Sequence, residues 1–293
     1  MDKKKIGVWE ILVCVLAFAV LFAACCWIIP FLTVAIFPGS SWSDYRPCDW
    51  VIYESAVNRF IRGDNPYNLP GRHQFHNPPW ILLVYLPFTL LPYPFGSALF
   101  MVVGFVVYLY IYSRYNSSLL SAAFYLLSAP VVWGLLGGQI SWIILIGLLL
   151  PPQYGLFLIL AKPQMGCLVA LIWFIEAYRE RRIIRTFLPV TVAFGLSFVF
   201  YGFWPLNWVT LVETEPMWWW PYSLILGIPL LWHTLKKQEV CLALCTSPLL
   251  SPHTCLHSWC GGMLIVSHPV TMALVSIGTW VYLYIYELQT LVR

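Results

Sequence analysis

Two charged side chains stand where charge is costly in this sequence, and both could do chemistry. Asp49 heads a polar segment that follows a long apolar run. Lys162 lies between two short apolar runs, where an ammonium group is expensive and marks a functional site by default. A carboxylate so placed can take a proton from a hydroxyl as a general base. A cation can hold a developing negative charge. Each also has a plainer explanation: Asp49 falls where a helix N-cap falls, and Lys162 can snorkel to the interface. Arg59 and Arg62 either bind phosphate through their planar forks or form a solvated face against lipid head groups. Gln139 follows two glycines and either meets a ligand or bonds across close-packed helices. His253, Cys255, His257 and Cys260 cluster, but their spacing matches no zinc pattern. No DxD carboxylate pair is present, and neither metal nor cofactor is expected.

The elements that must position these groups are helices. The chain is 60% hydrophobic and 10% charged, with mean hydropathy +0.78. Soluble proteins carry about 25% charged residues, so the composition predicts an all-α, multi-pass membrane protein. The apolar runs are too continuous for the alternating strands of a barrel. The net charge of +4 comes from clusters that read as topology signals, and no nucleic acid is expected as a partner. The nine cysteines read as buried free thiols.

Residues 1–37 read as an uncleaved first span with the amino terminus in the cytoplasm, and 38–78 as an external loop. The polar stretch 38–77 holds eight of the 28 charged side chains. Within it Trp50, Tyr53, Val57, Phe60 and Ile61 recur at helical spacing, with Glu54, Asn58, Arg59 and Arg62 opposite. This predicts an amphipathic helix lying flat at the membrane surface and stopped at Gly63-Asp64-Asn65-Pro66. Residues 79–293 read as the rest of one helical bundle. Apolar runs occupy 79–91, 95–112, 119–136, 140–150, 154–161, 165–178, 188–204, 221–232, 240–250, 256–266 and 270–286. The basic cluster Arg179 to Arg185 should be cytoplasmic, so an odd number of crossings must separate it from 38–77. Six candidate runs lie between them, so one must be re-entrant or merge with a neighbour. Gln139 and Lys162 are expected to emerge on the outer side, near Asp49. The loop 205–220, with Glu213, Glu215 and Trp218-Trp219-Trp220, reads as an interfacial aromatic belt.

Several strings carry a family likeness. Asp49-Trp-Val-Ile-Tyr53 is followed by Gly63-Asp-Asn-Pro66-Tyr67 and then Phe75-His-Asn-Pro78-Pro79. Next come Ser128-Ala-Pro130 with Gly138-Gln139, then Lys162-Pro163, then Ser251-Pro252-His253. In this order, over some 200 residues, they resemble glycosyltransferase family 87, the polyprenol-phosphate-sugar-dependent transferases of the GT-C fold. The resemblance implies a bundle of about 10–12 transmembrane or re-entrant helices. It implies transfer of a hexose, mannose above all, from a polyprenyl-phosphate donor to a lipid or glycan acceptor. The transfer would be inverting, on the outer side of the plasma (cell inner) membrane. Asp49 would be the base. Lys162, with Arg59 and Arg62 as alternatives, would hold the donor phosphate. Tyr53, Tyr67, His76, Gln139 and His253 would bond sugar hydroxyls.

The chain departs from the family at Asn77, where Tyr is common, and at His257-Ser258-Trp259, where an Asp-Leu pair usually follows. Family members are longer, so the last one or two helices are expected to be missing or rearranged. A second reading is therefore a catalytically degenerate relative, serving as a structural or lipid-binding subunit of a larger membrane complex.

Overall fold

The computed structural model describes residues 48–69, 74–93, 95–209 and 219–292, together with residues 20 and 24. The expected first span and the acidic part of the 205–220 loop, with Trp218, lie outside the described residues. Among the described residues the fold is helical, without strands. Helix α1 is Cys48–Ile61, α2 is Ile81–Thr89, α3 is Phe95–Tyr115, and α4 and α5 are Leu119–Leu126 and Ala129–Gly137. The short helices α6 (Ser141–Ile146) and α7 (Pro152–Ile159) follow, then α8 (Pro163–Arg179) and α9 (Ile183–Tyr201). Last come α10 (Leu224–Lys237), α11 (Val240–Leu250) and α12 (Pro269–Val292).

Two helices, α3 and α9, are long and apolar enough to cross a membrane; α4 and α5, bent by 51° at their break, would make a third if they form one span. The break falls at Ser128-Ala129-Pro130, where proline cannot continue the α4 ladder.

Helix α1 buries Trp50, Tyr53, Ala56 and Val57. That stripe packs against protein rather than lipid. Tyr53 stacks on Tyr85 of α2 at 4.1 Å, Tyr85 on Phe100 of α3 at 4.7 Å, and Phe100 meets Trp142 of α6 at 4.9 Å. Most of the apolar face of α1 is thus covered by the bundle, while Val51, Asn58, Ile61 and Arg62 stay exposed. The helix stops at Gly63, which adopts φ +80° while Asp64 N–H bonds the Arg59 carbonyl.

Gly138 ends α5 in the same way, at φ +75°, with Gln139 N–H on the Gly134 carbonyl. Here there is also a neighbour: a Cβ on Gly138 would lie 3.0 Å from Trp50 Cβ and 3.1 Å from the Trp50 nitrogen. Gly138→Ala should therefore cost about 1–3 kcal/mol, read as a lower midpoint of thermal unfolding in detergent. Gly63→Ala, with the same backbone but nothing within 4 Å, should cost about 1 kcal/mol or less. Equal losses would sink the packing argument.

Helices α6 and α7 form a hairpin. A 3-10 turn at Gly147–Leu149 reverses the chain, and Gly147 and Gly155 let the backbones meet. The hairpin ends where it began, with Lys162 beside Gln139 and Ser141. The run 256–266, expected to be an apolar segment like the others, is not one helix. It folds as two 3-10 turns, Leu256–Cys260 and Gly262–Ile265. Its carbonyls are held from outside. Tyr125, Asn116 and Tyr112 donate to the oxygens of Cys260, Leu264 and Val266, at 3.2, 3.0 and 2.6 Å. These bonds replace the helical ladder, and Gly261-Gly262 weakens the alternative. Trp219 is not a lone anchor: it stacks on Tyr282 of α12 at 5.5 Å and meets Trp259.

Candidate functional site

Asp49 lies in the first turn of α1, where the positive end of the helix dipole favours a carboxylate. The end of α5 passes directly over it: a Cβ on Gly137 would sit 3.4 Å from Asp49 Oδ2. The glycine pair therefore lets the α5 backbone reach the head of α1, and the residue that follows the pair is Gln139.

Gln139 Oε1 accepts from Lys162 Nζ at 3.3 Å, and Ser141 Oγ accepts from the same ammonium at 3.0 Å. Lys162 is 3% exposed, so it does not snorkel to solvent. It occupies the turn between α7 and α8. Burial pulls its ammonium down to about 8, against the opposing fields of the Cys255 and Cys260 thiols and of Asp49. An ammonium has three donors. Two are met by Gln139 and Ser141, and the third has no acceptor among the described residues.

Asn77 locks the segment before α2 onto this turn. Its Nδ2 donates to the Ala161 carbonyl at 2.8 Å, and its Oδ1 accepts from the Tyr53 hydroxyl at 2.6 Å. Its own carbonyl accepts from the Tyr67 hydroxyl at 2.8 Å. A third hydroxyl, on Tyr85, donates to the Gly138 carbonyl at 2.6 Å. These bonds fix Asp49, Gln139 and Lys162 relative to one another through four separate parts of the chain.

Two imidazoles complete the surroundings. His257 is buried and neutral, because burial lowers its basicity, and nearby Lys162 and His253 lower it further. His76 is held down to about 4 by burial and then by His253. The Nδ1 atoms of both His76 and His257, and the Ser258 hydroxyl, are buried without a hydrogen-bond partner among the described residues. Buried polar atoms normally have partners, and of these three His257 is the one whose titration feels Lys162.

Not every expected residue joins. Tyr53 and Tyr67 are 5% exposed and their hydroxyls are committed to Asn77, so they build the site rather than meet a sugar. Tyr53→Phe should leave Asn77 Oδ1 without that donor, costing about 1–3 kcal/mol of stability, while any turnover at the optimum temperature changes less than twofold. Loss of turnover without loss of stability would restore Tyr53 to a substrate-contacting role. Arg59 lies ten residues along α1 from Asp49, about 15 Å at helical rise, and its Nε bonds the Asn65 carbonyl at 2.9 Å. Arg62 is exposed beyond the end of α1. Lys162 is thus the cation that the fold places with Asp49. His76 and His253 do approach each other, and Trp208 Nε1 donates to the His76 carbonyl at 2.6 Å.

Comparison with protein-family models, with curated proteins and with solved structures finds no match. The site joins a carboxylate, an ammonium with one spare donor, a carboxamide and two neutral imidazoles, within a wall of aromatic rings. Such a set can take a proton from a hydroxyl, hold an anionic oxygen and bond a polyol. No group of three metal ligands occurs among the described residues.

Sequence reading missed three contributors. Asn77 stood out solely as a departure from the family pattern, whereas its amide bridges α1 and the Lys162 turn. Ser141 carried no signal beyond following Gln139 by two positions. His257 was weighed as part of a metal cluster and not as a neighbour of Lys162.

Proposed function

We propose that this chain is an integral-membrane glycosyltransferase that moves a hexose, with mannose the favoured sugar, from a polyprenyl-phosphate donor to a lipid or glycan acceptor. The observation that carries the reading is the approach of Asp49 and buried Lys162 to one place, with the unpartnered imidazole nitrogen of buried His257 near Lys162. Asp49 takes the proton of the acceptor hydroxyl. The hydroxyl oxygen attacks the anomeric carbon from the face opposite the phosphate, and the bond from that carbon to the phosphate oxygen breaks. The spare N–H of Lys162 holds the departing phosphate. His76, His253, His257 and Gln139 bond sugar hydroxyls. Donor and acceptor are its partners, alongside membrane lipids.

This reading places the chain in the inner membrane in a GT-C-like arrangement with the amino terminus in the cytoplasm, and the long apolar helices support its membrane part. Helix α2 is about 14 Å long, too short to cross a ~30 Å core. The α6–α7 hairpin returns to its start, and α4 with α5 make one bent span. Between 38–77 and 179–185, α3 and the bent α4–α5 pair are long and apolar enough to cross, and this reading takes the 17-residue α8 as the third crossing. That odd number meets the charge rule.

One observation favours the degenerate-subunit reading. Lys162 already satisfies two donors within the protein, as a purely structural lysine would. The two readings part on one assay. Purified protein in nanodiscs is given radiolabelled polyprenyl-phosphate mannose and a membrane-lipid extract. Labelled product supports the transferase. Donor binding without product, together with copurification in a larger complex, supports the subunit. Neither binding nor product overturns both.

A further inference from the structure

At the other end of α8, remote in sequence from Asp49 and Lys162, the turn into α9 forms a second cationic place. An open groove of about 630 Å³ is lined by Tyr178, Arg181, Arg182, Ile183, Ile184 and Arg185. Arg182 pairs with Glu180. Arg181 and Arg185 have no acidic partner among the described residues. Arg181 ends α8 at φ +55°, a left-handed position that favours glycine, with Arg182 N–H closing the turn on the Ala177 carbonyl. An arginine is thus kept where glycine would be easier. The turn is tied to the α10–α11 turn, since Arg179 Nη1 donates to Gln238 Oε1 at 2.8 Å. That neighbour brings Lys236 and Lys237, of which Lys237 faces Glu239 at 4.0 Å.

What lies beside the groove identifies its occupant. Helix α9 starts in it, and just 17% of the apolar window of α9 is covered by the rest of the protein. Ile184, Leu188, Val192, Leu196 and Val199 are all exposed, from 48% to 79%, and recur every three or four residues. They make one apolar stripe running down the helix from the arginines. A phosphate between Arg181 and Arg185 would place acyl chains along that stripe.

We infer that this groove is a binding site for an anionic phospholipid, with the phosphodiester head group on Arg181 and Arg185 and an acyl chain along α9. The inference rests on the membrane reading of α9 but not on glycosyl transfer. A free phosphate would use the arginines and ignore the stripe. A lipid uses both, because juxtamembrane arginines attract anionic head groups as lipid chains cover an apolar helix.

The test uses the full chain in nanodiscs of mixed phosphatidylglycerol and phosphatidylcholine, with retained lipid counted by native mass spectrometry after mild delipidation. Wild type should keep phosphatidylglycerol over phosphatidylcholine. The preference should fall by about fivefold per arginine, roughly 25-fold in Arg181→Gln/Arg185→Gln. Arg182→Gln, which alters a paired side chain, should fall less. Soluble glycerol phosphate at equal concentration should not displace the lipid. No preference in wild type, or an unchanged preference in the double variant, overturns the inference. So does displacement by glycerol phosphate, which would assign a free-phosphate site. Wild-type selectivity decides even if the double variant is poorly folded. Release of the full chain from membranes by alkaline carbonate would overturn the membrane reading of α9, and the lipid site with it.

Discussion

Asp49→Asn should lower sugar transfer by about 10²–10⁴-fold, the usual contribution of a positioned general base, while the protein still folds. The amide keeps the shape that fits under Gly137 but cannot accept a proton from the acceptor hydroxyl. The structural cost is small. A carboxylate in the first turn of a helix contributes about 0.3–1 kcal/mol through the dipole, and the aromatic stripe behind it is untouched. Initial rates with labelled donor, set beside unfolding midpoints, separate the two effects. A variant that retains transfer would remove Asp49 from the chemistry. A variant that fails to fold would make the carboxylate a structural partner of the α5 end. The substitution also has an electrostatic effect on Lys162 that reports the proximity of the two groups. Asp49 is one of the groups that hold Lys162 in its charged form, so its loss should shift the Lys162 titration below about 8.

Lys162→Met should abolish donor binding and cut transfer by about 10²–10³-fold, the range seen when one donor to a developing anion is removed. Stability should change by no more than about 1–2 kcal/mol, because two opposing quantities nearly cancel. The bonds to Gln139 and Ser141 are lost, but so is the cost of keeping an ammonium out of water. The wild-type protein offers a further check through pH. Donor phosphate binds the charged ammonium, which exists below about 8, so affinity should fall about tenfold per pH unit above that point. Stability should move the other way. The folded-state value is depressed from 10.5 to about 8, so the unfolded chain binds more protons between those limits, and stability rises across the same window. Binding that weakens while the fold strengthens is a signature that general alkaline denaturation cannot imitate. Affinity that stays flat to pH 10 would remove Lys162 from phosphate binding.

Much of the helical plan was legible in the residues. The apolar runs became helices because each had one period and clear stops, such as Gly63 and the Ser128-Ala129-Pro130 break. The run 256–266 misled because composition does not say who satisfies its carbonyls. Tyr112, Asn116 and Tyr125 do so from 135 to 154 residues away, and no local pattern encodes that. The face of α1 was read as apolar, and the structure shows that Tyr85 of α2 is one of the groups that cover it. Periodicity shows that a face must be covered and is silent on what covers it.

The candidate site divides along the same line. By itself the sequence determined the cast: one carboxylate at a helix head, one lysine between apolar runs, a glutamine behind two glycines, and helices on which to hang them. Those follow from the cost of charge in apolar surroundings and from the freedom of glycine, which are properties of single residues. The tertiary structure alone decided who meets whom. It set Asp49 under Gly137 and Lys162 on Gln139 and Ser141. It turned Tyr53 and Tyr67 away to Asn77 and left Arg59 about 15 Å along α1 from Asp49. Hydrogen bonds and fields act over a few ångströms of space, whatever the distance along the chain, so partners from residues 49, 77, 139 and 162 could be matched only once the helices had packed.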